Sequence, residues 1–414
     1  MLDQFFRDGA SAHRLRASLF GPHLDSFAAL VSRLGYARST VQTQLRLLVD
    51  LGRWLTRHWL GVRDLGTDAA AGFLRKRRRA GGVRRGDLHT LRLFLHHLRA
   101  DGVIPHPAPK VDGSSLGILK TRYEEYLRKG RGLSPVTGPR YWPFLQRLLL
   151  ERFQAGPIHL GELKPQDVTR FLLRRAHARS PKGAQTMVCA LRSFFRFLYQ
   201  HGDTAQDLSA AVLPIPSWRL AEVPKYLTPA EVARLLASCD RTCAAGRRDY
   251  TLLLLLARLG LRAGEVVRLE LDDIDWRAGE LLVRGKGSFH DRLPLPQDVG
   301  NALAAYLRTD RPPCSTRCVF VRMRAPRRGF NHPSTVSTIV RRAVERAGLA
   351  PPTKGAHLLR HSLATGLLRQ GASLAEIGEV LRHRSPNTTE IYAKVDLDAL
   401  RALARPWPRN GGGR

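Results

Sequence analysis

The sequence predicts a mostly α-helical protein with a small antiparallel β-sheet: two helical modules in front, then an α+β domain. Three observations predict it. Apolar residues recur at helical spacing along most of the 414 residues. The stretches 24–105 and 120–204 repeat one pattern, and only the segment from Leu271 to Leu295 reads as strands. At roughly 150 residues per domain the length suits two or three domains, placed here at 1–110, 111–216 and 217–414.

In the first two modules, Thr40-Val41 and Val136-Thr137 open helices after short turn-like stretches. Leu65 with Phe73-Leu74 matches Leu163 with Phe171-Leu172, 98 residues on, and Leu91 to Leu95 matches Leu191 to Phe195, 100 residues on. Asp101-Gly102 and His201-Gly202 close the two stretches. So small a drift points to a duplication with short insertions in loops. Two helical bundles of similar texture are the alternative. Ile104-Pro105-His106-Pro107-Ala108-Pro109 reads as a stiff linker, and Leu213-Pro214-Ile215-Pro216-Ser217-Trp218 as a second boundary. The run Arg75, Lys76, Arg77, Arg78, Arg79 would track a phosphate backbone or form a solvated helix end; both stay open.

From Thr228 the character changes. Thr228-Pro229-Ala230-Glu231 starts a helix by cap, N1 proline and capping-box acid, and a leucine-rich helix from Arg248 ends at Gly260. Glu280 to Arg284 and Asp291 to Leu295 read as strands flanking a hairpin tip, Gly285-Lys286-Gly287. Leu358, Leu359, Leu363, Leu367 and Leu368 predict an amphipathic helix with His357 and Arg360 on one side. Ser373 with Glu376 opens a helix expected to run to His383, and Ser385-Pro386 a third that carries Tyr392. Beyond Ser334 we expect helix to the end, apart from a loop near Pro351-Pro352 and a disordered Asn410 to Arg414.

The formal net charge is +33, from 68 Lys+Arg against 35 Asp+Glu, and a chain this basic most often meets nucleic acid. Arg makes up 58 of the 68; a GC-rich genome explains part of that bias, but not the excess over acid. The longest apolar run, Leu252 to Ala257, is far too short for a membrane span, and the N-terminus lacks signal-peptide character, so we expect a cytoplasmic, nucleoid-associated protein. The pairs Cys239/Cys243 and Cys314/Cys318 resemble a metal motif weakly, and reduced thiols are expected, with Cys189 the fifth.

A guanidinium, several imidazoles and a phenol converge in the last fifth of the chain; such groups can hold a phosphate, move its protons and attack it. Lys286 stands on a glycine-flanked tip in a chain that prefers Arg, and only Lys can lose a proton there, although an ordinary turn Lys is the plain alternative. A nucleotide P-loop at Gly279 to Lys286 fails on spacing and on Gly287, where Ser or Thr is needed. A zinc helix at His357 and His361 lacks the following Glu and a third ligand. His361 is expected to be buried and hydrogen-bonded. No metal and no cofactor are expected.

Arg262 with Glu265, Lys286 in Gly-Lys-Gly, His357-x-x-Arg360-His361, His383 and Tyr392 together resemble the tyrosine recombinase (phage integrase) family in order and spacing. The match is close over 228–395 and looser over 115–210, which looks like that family's helical core-binding domain. The resemblance implies a helical core-binding domain and an α+β tyrosine-recombinase catalytic domain; the first copy, 24–105, is extra to the minimal family layout and is expected to be a second helical DNA-binding module. It implies Tyr392 as nucleophile, forming a 3′-phosphotyrosyl link and a free 5′-hydroxyl without ATP. Arg262 and Arg360 would clamp the phosphate, Lys286 protonate the leaving oxygen, and His357 act as base or relay. His383 would bond a phosphate oxygen, while Glu265 and His361 would support these groups. One departure is Arg382, where the family usually has Gly; it either adds a phosphate contact or replaces a helix-ending Gly.

Expected partners are double-stranded DNA with specific recombination sites and a homotetramer on synapsed DNA, alone or with other recombinases. The first role in view is integration or transposition of a mobile element, with the first module an arm-type or second core-type DNA-binding unit. Alternatives are a dimer-resolving Xer-type recombinase, a type IB topoisomerase and, from another class, a catalytically silent DNA-binding accessory subunit.

Overall fold

The structure, a computed structural model, describes residues 1–6, 8–107, 112–154, 156–215, 223–285 and 290–395. The chain divides into two compact units, 1–106 with 223–414, and 107–222. Mostly helix with one small antiparallel sheet is what the hydrophobic pattern predicts, and that is the architecture found. No described helix is long and apolar enough to cross a membrane.

Five helices surround the first apolar core: α1 (Gly9–Arg16), α2 (Gly21–Arg33), α3 (Arg38–Arg57), α4 (Thr67–Arg79) and α5 (Asp87–Ala100). The unit at 107–222 has its own core among α6 (Ser115–Glu125), α7 (Thr137–Phe153), α8 (Pro165–Ala176) and α9 (Pro181–Gln200). From α2 and from α6 the α-helices and 3-10 turns follow in the same order, two helices, a 3-10 turn (Val62–Asp64, Leu160–Glu162), then two helices, with α6 alone prolonged by a π turn, Tyr126–Gly130. The residues matched in sequence sit alike, with Leu65 and Leu163, Phe73 and Phe171, Leu91 and Leu191, and Phe94 and Phe194 all buried. Both fourth helices stop the same way. Gly102 (φ +70°) and Gly202 (φ +72°) take the left-handed conformation, and the next N–H turns back to Leu98 or Leu198.

A third core is built from α10 (Pro229–Ala237), α11 (Ala244–Leu259), α12 (Ala263–Arg268), α13 (Gln297–Ala305), α14 (Pro333–Arg346) and α15 (His357–Arg369). The capping box at Thr228 and Glu231 is present. The sheet has the order β1 (Ile274–Asp275), β2 (Glu280–Arg284), β3 (His290–Pro294), all antiparallel, with Leu282 opposite Arg292. Leu271–Asp273, expected in a strand, is a 3-10 turn, because the Asp273 carboxylate accepts from the Glu270 N–H and closes a local ring. Beyond α15, α16 (Leu374–Val380) opens with the capping box of Ser373 and Glu376, then stops short of His383. The expected third helix is two 3-10 turns instead, Pro386–Thr388 and Glu390–Val395, and no side-chain bond from Ser385 caps the first. The hairpin tip at Lys286-Gly287, part of both proline-rich stretches and the tail from 396 lie outside the described residues.

Candidate active site

The site forms where α11, α15 and α16 end or begin together. Gly260 terminates α11 in the left-handed conformation (φ +57°), and a Cβ there would come 2.8 Å from Leu381 Cδ2. Only glycine fits both the backbone and the packing. The carbonyl so turned accepts from Arg360 Nη1, and the Leu381 carbonyl at the end of α16 accepts from Arg360 Nη2. One buried guanidinium (Arg360, 3% exposed) thus staples two helix C-termini, whose partial negative charge favours a cation. Burial, with Arg262 and Arg382 close by, pushes the Arg360 pKa down to about 10, still charged at neutral pH.

Arg262 caps α12. Its backbone N–H and its Nη1 each donate to Glu265, at 2.8 Å, and its Nη2 donates to the Arg382 carbonyl at 3.4 Å. Glu265 is buried, which by itself would raise its pKa. The Arg262 N–H and the charges of Arg382 and Arg262 outweigh that and hold it below the ordinary carboxylate value. Arg382 closes the ring: its Nη2 donates to the second Glu265 oxygen at 2.9 Å, and its side chain is 7% exposed. Its backbone sits at φ +54°, with the Arg382 N–H on the Glu379 carbonyl and the His383 N–H on that of Gly378. Arg382 ends the helix as a glycine would, and its guanidinium both pairs with Glu265 and lines the cleft of the site.

His383 follows that turn, and its Nδ1 lies 2.8 Å from Thr389 Oγ1. Burial and the cations Arg360 and Arg262 lower its pKa to about 4, so it is neutral at pH 7. Tyr392, 1% exposed, packs with Ala364, Ile377 and Leu381, and its hydroxyl is 2.8 Å from His361 Nδ1. Burial raises the phenol pKa to about 12 against the pull of Arg360 and Arg262. His361 is half-buried and held down to about 4 by burial, His357 and Arg360. His357 is exposed at the first turn of α15, its ring centroid 6.3 Å from that of His361. The imidazole touching the phenol is therefore His361, a contact the sequence pattern did not suggest. A cleft of about 430 Å³ opens beside these groups, lined by Arg262, Gly285, Asp291, Arg382, His383 and Thr388.

The structure thus brings together Arg262, Glu265, Arg360, His361, Arg382, His383 and Tyr392, with His357 one helical turn from His361. Lys286 lies outside the described residues. The run at 75–79 belongs to α4 and not to this site. Four of its cations are exposed, while Arg77 is turned to Asp50 and Asp87. All five cysteines are free, and among the described residues no group of three His, Cys, Asp or Glu is arranged to hold a metal ion. Three elements escaped the sequence analysis: the hydroxyl of Thr389 on His383, the Glu265–Arg382 pair and the His361 ring on the Tyr392 hydroxyl. The unusual residue before His383 was the one signal for the second.

Comparison with known proteins agrees with this geometry. Residues 225–398 match the phage integrase family, and 121–202 match the phage integrase N-terminal SAM-like domain. An integrase/recombinase of Sinorhizobium fredii, y4rA, is 43% identical over 92% of this chain and 93% of its own. The tyrosine recombinase XerD of Mycobacterium tuberculosis is 35% identical over 70% of this chain and 96% of its own. Among solved structures, the XerH site-specific recombinase bound to a palindromic difH substrate shares the fold. Its TM-score is 0.57 at 20% identity, covering 76% of this chain and 94% of that one.

Proposed function

The chain belongs to the phage integrase family of tyrosine recombinases, and from that premise we propose how its residues divide the work of breaking and rejoining DNA. The chain is a site-specific recombinase. The Tyr392 oxygen attacks a phosphodiester, a Tyr–O–P bond forms, the bond from phosphorus to the 5′-oxygen breaks, and that oxygen leaves as a hydroxyl. Because the link conserves the bond energy, rejoining needs only attack by another 5′-hydroxyl. Arg262 and Arg360 hold the non-bridging oxygens, where charge grows in the transition state, and His383 donates to one of them. Neutral His361, already on the phenol, takes its proton, and His357 relays it outward. Lys286 supplies the proton to the leaving oxygen. Glu265 and Arg382 position Arg262.

One observation carries this assignment: the phenol, its imidazole partner and two guanidiniums meet at the ends of three helices, fixed by backbone carbonyls and Glu265. Such a set is preorganised, so its charge stabilisation costs little rearrangement during reaction. A nicked duplex that traps the covalent complex tests it. Tyr392→Phe should form no adduct while binding DNA near the wild-type level; adduct formation by the variant would remove Tyr392 from the nucleophile's role.

We assign the chain to integration or transposition of a mobile element, working as a homotetramer on two synapsed duplexes in the nucleoid. The extent of the relatives supports this role. The integrase/recombinase y4rA aligns over nearly the full chain, whereas XerD aligns over 70% of it. The domain limits that fit this division of labour are 1–110, 111–216 and 217–414.

A further inference from the structure

We propose that residues 1–106 are a second duplex-binding module, a copy of the unit at 112–212, and that its grip on the phosphate backbone is the corner between α4 and α5. This rests on the reading above that the chain acts on DNA. The family match to the N-terminal SAM-like domain covers 121–202 and leaves 1–106 unassigned.

The copy relation has three supports beyond helix order. The buried positions correspond at offsets of 98 to 100 residues, and both fourth helices end on a left-handed glycine with the same backbone bonds. The third support is a shared ion pair. In the first module Arg77 of α4 reaches back to Asp50 of α3, at 3.1 Å. In the second, Arg175 of α8, 98 residues on, reaches back to Glu151 of α7. The same joint between corresponding helices is tied by the same chemistry.

What differs is the charge left over. Within 75–85 the first module places seven cations and no acid. Arg77 is the scaffold. Besides Asp50, it meets the buried Asp87 at 3.4 Å, donates to the Gly82 carbonyl at 2.9 Å, and lies over the Phe73 ring. Asp87 in turn accepts from the Arg84 N–H. The corner is therefore pinned from inside by one arginine. The other six, Arg75, Lys76, Arg78, Arg79, Arg84 and Arg85, are exposed, and no side-chain ion pair joins them to an acid among the described residues. Like charges three and four apart on a helix repel, and the helix dipole offsets only part of that at the C-terminal turn. A solvated helix end needs neither this density nor an internal staple. A polyanion with regularly spaced charges uses both, because it gains most from cations held at fixed spacing. No aromatic side chain is interleaved in the run, and six exposed cations favour phosphate contact over base reading, so the corner adds affinity and register without sequence choice.

The test uses the full chain and random-sequence 60-base-pair duplex, with affinity measured from about 0.05 to 0.3 M salt. Each phosphate contact contributes about 0.9 to the slope of log K against log salt. Combining Arg75→Ala, Lys76→Ala, Arg78→Ala and Arg79→Ala should lower the slope by about 3.6 and weaken binding at least tenfold near 0.15 M salt. A control with equal charge removed from the same module, Arg14→Ala, Arg57→Ala, Arg63→Ala and Arg92→Ala, should lower the slope by less than about 1. Equal losses in the two variants would overturn the location, and an unchanged slope in the first would overturn the contact. Lys76→Glu alone, a single exposed change, should weaken binding about threefold or more and serves if the fourfold variant is unstable. A wild-type chain that bound no duplex at all would instead sink the DNA reading itself.

Discussion

The molecule keeps cations in two very different ways. Around Tyr392 they are few and held inward: Arg360 is buried on two carbonyls, and Arg382 and the partly exposed Arg262 share one buried glutamate. At the corner after α4 they are many and exposed, and among the described residues only Arg77 is paired with an acid. A buried cation is costly to keep, and its neighbours must hold its geometry whether or not a phosphate is present. In return it acts at low dielectric on charge that develops only during reaction. An exposed cation costs little and is screened by salt, so it can add binding but little rate. The difference separates residues that set the speed of cleavage from residues that set how firmly DNA is held.

Removing one cation of each kind should break that symmetry most visibly. Arg360→Ala leaves the Gly260 and Leu381 carbonyls without their donor and removes a preorganised charge. Cleavage of a nicked duplex should slow by more than about 100-fold, as for loss of a comparable oxyanion donor. Arg78→Ala should leave the single-turnover cleavage rate of bound DNA within about twofold, because a screened surface charge makes no transition-state contact. Comparable rate losses in the two variants would erase the distinction.

Much of this contrast could be read from residue order, and the unread part has a physical cause. The repeat in the front half was legible because helix packing demands apolar residues at set intervals, so Phe73 and Phe171 announced themselves. The capping boxes at Thr228 and Ser373 are local rules, and both hold. The sheet was legible from Glu280 to Arg284, since β-branched and apolar residues beside a glycine tip leave few options. The end of α16 was not. The helix stops three residues early because Arg382 adopts φ +54°, a conformation non-glycine residues rarely take, stabilised by a glutamate 117 positions away. His361 on Tyr392 spans 31 residues and depends on the two 3-10 turns that replaced an expected helix. Local patterns reveal elements; contacts made by one polar group across the chain stay hidden until the elements are placed.

Acid should expose the buried site before it affects the corner. His361 and His383 have pKa values near 4 in the fold against an ordinary 6.5, so between those values the unfolded chain binds more protons than the native one. Stability from these two groups is therefore complete above about pH 6.5 and is lost as pH falls toward 4. Denaturant midpoints across pH 4 to 8 should decline on the acid side, and His383→Gln should flatten part of that decline. The fourfold alanine variant at 75, 76, 78 and 79 leaves both imidazoles in place, so it should retain the full wild-type slope. A His383→Gln profile identical to wild type would show that His383 is not held neutral by the fold.

The smallest expected effect concerns the residue that joins both themes, a cation at a backbone position suited to glycine. Arg382→Ala and Arg382→Gly both delete the guanidinium from Glu265, so both lose the same ion pair, and both should slow cleavage by loosening Arg262. They differ in the backbone. Alanine at φ +54° keeps a Cβ that opposes the left-handed conformation, at a cost of roughly 1 kcal/mol, whereas glycine adopts it freely. Arg382→Gly should thus be about 1 kcal/mol more stable than Arg382→Ala in denaturant titration, with similar cleavage rates. If the two variants were equally stable, the turn after α16 would relax when the ion pair is removed, and Arg382 would owe its conformation to Glu265 alone.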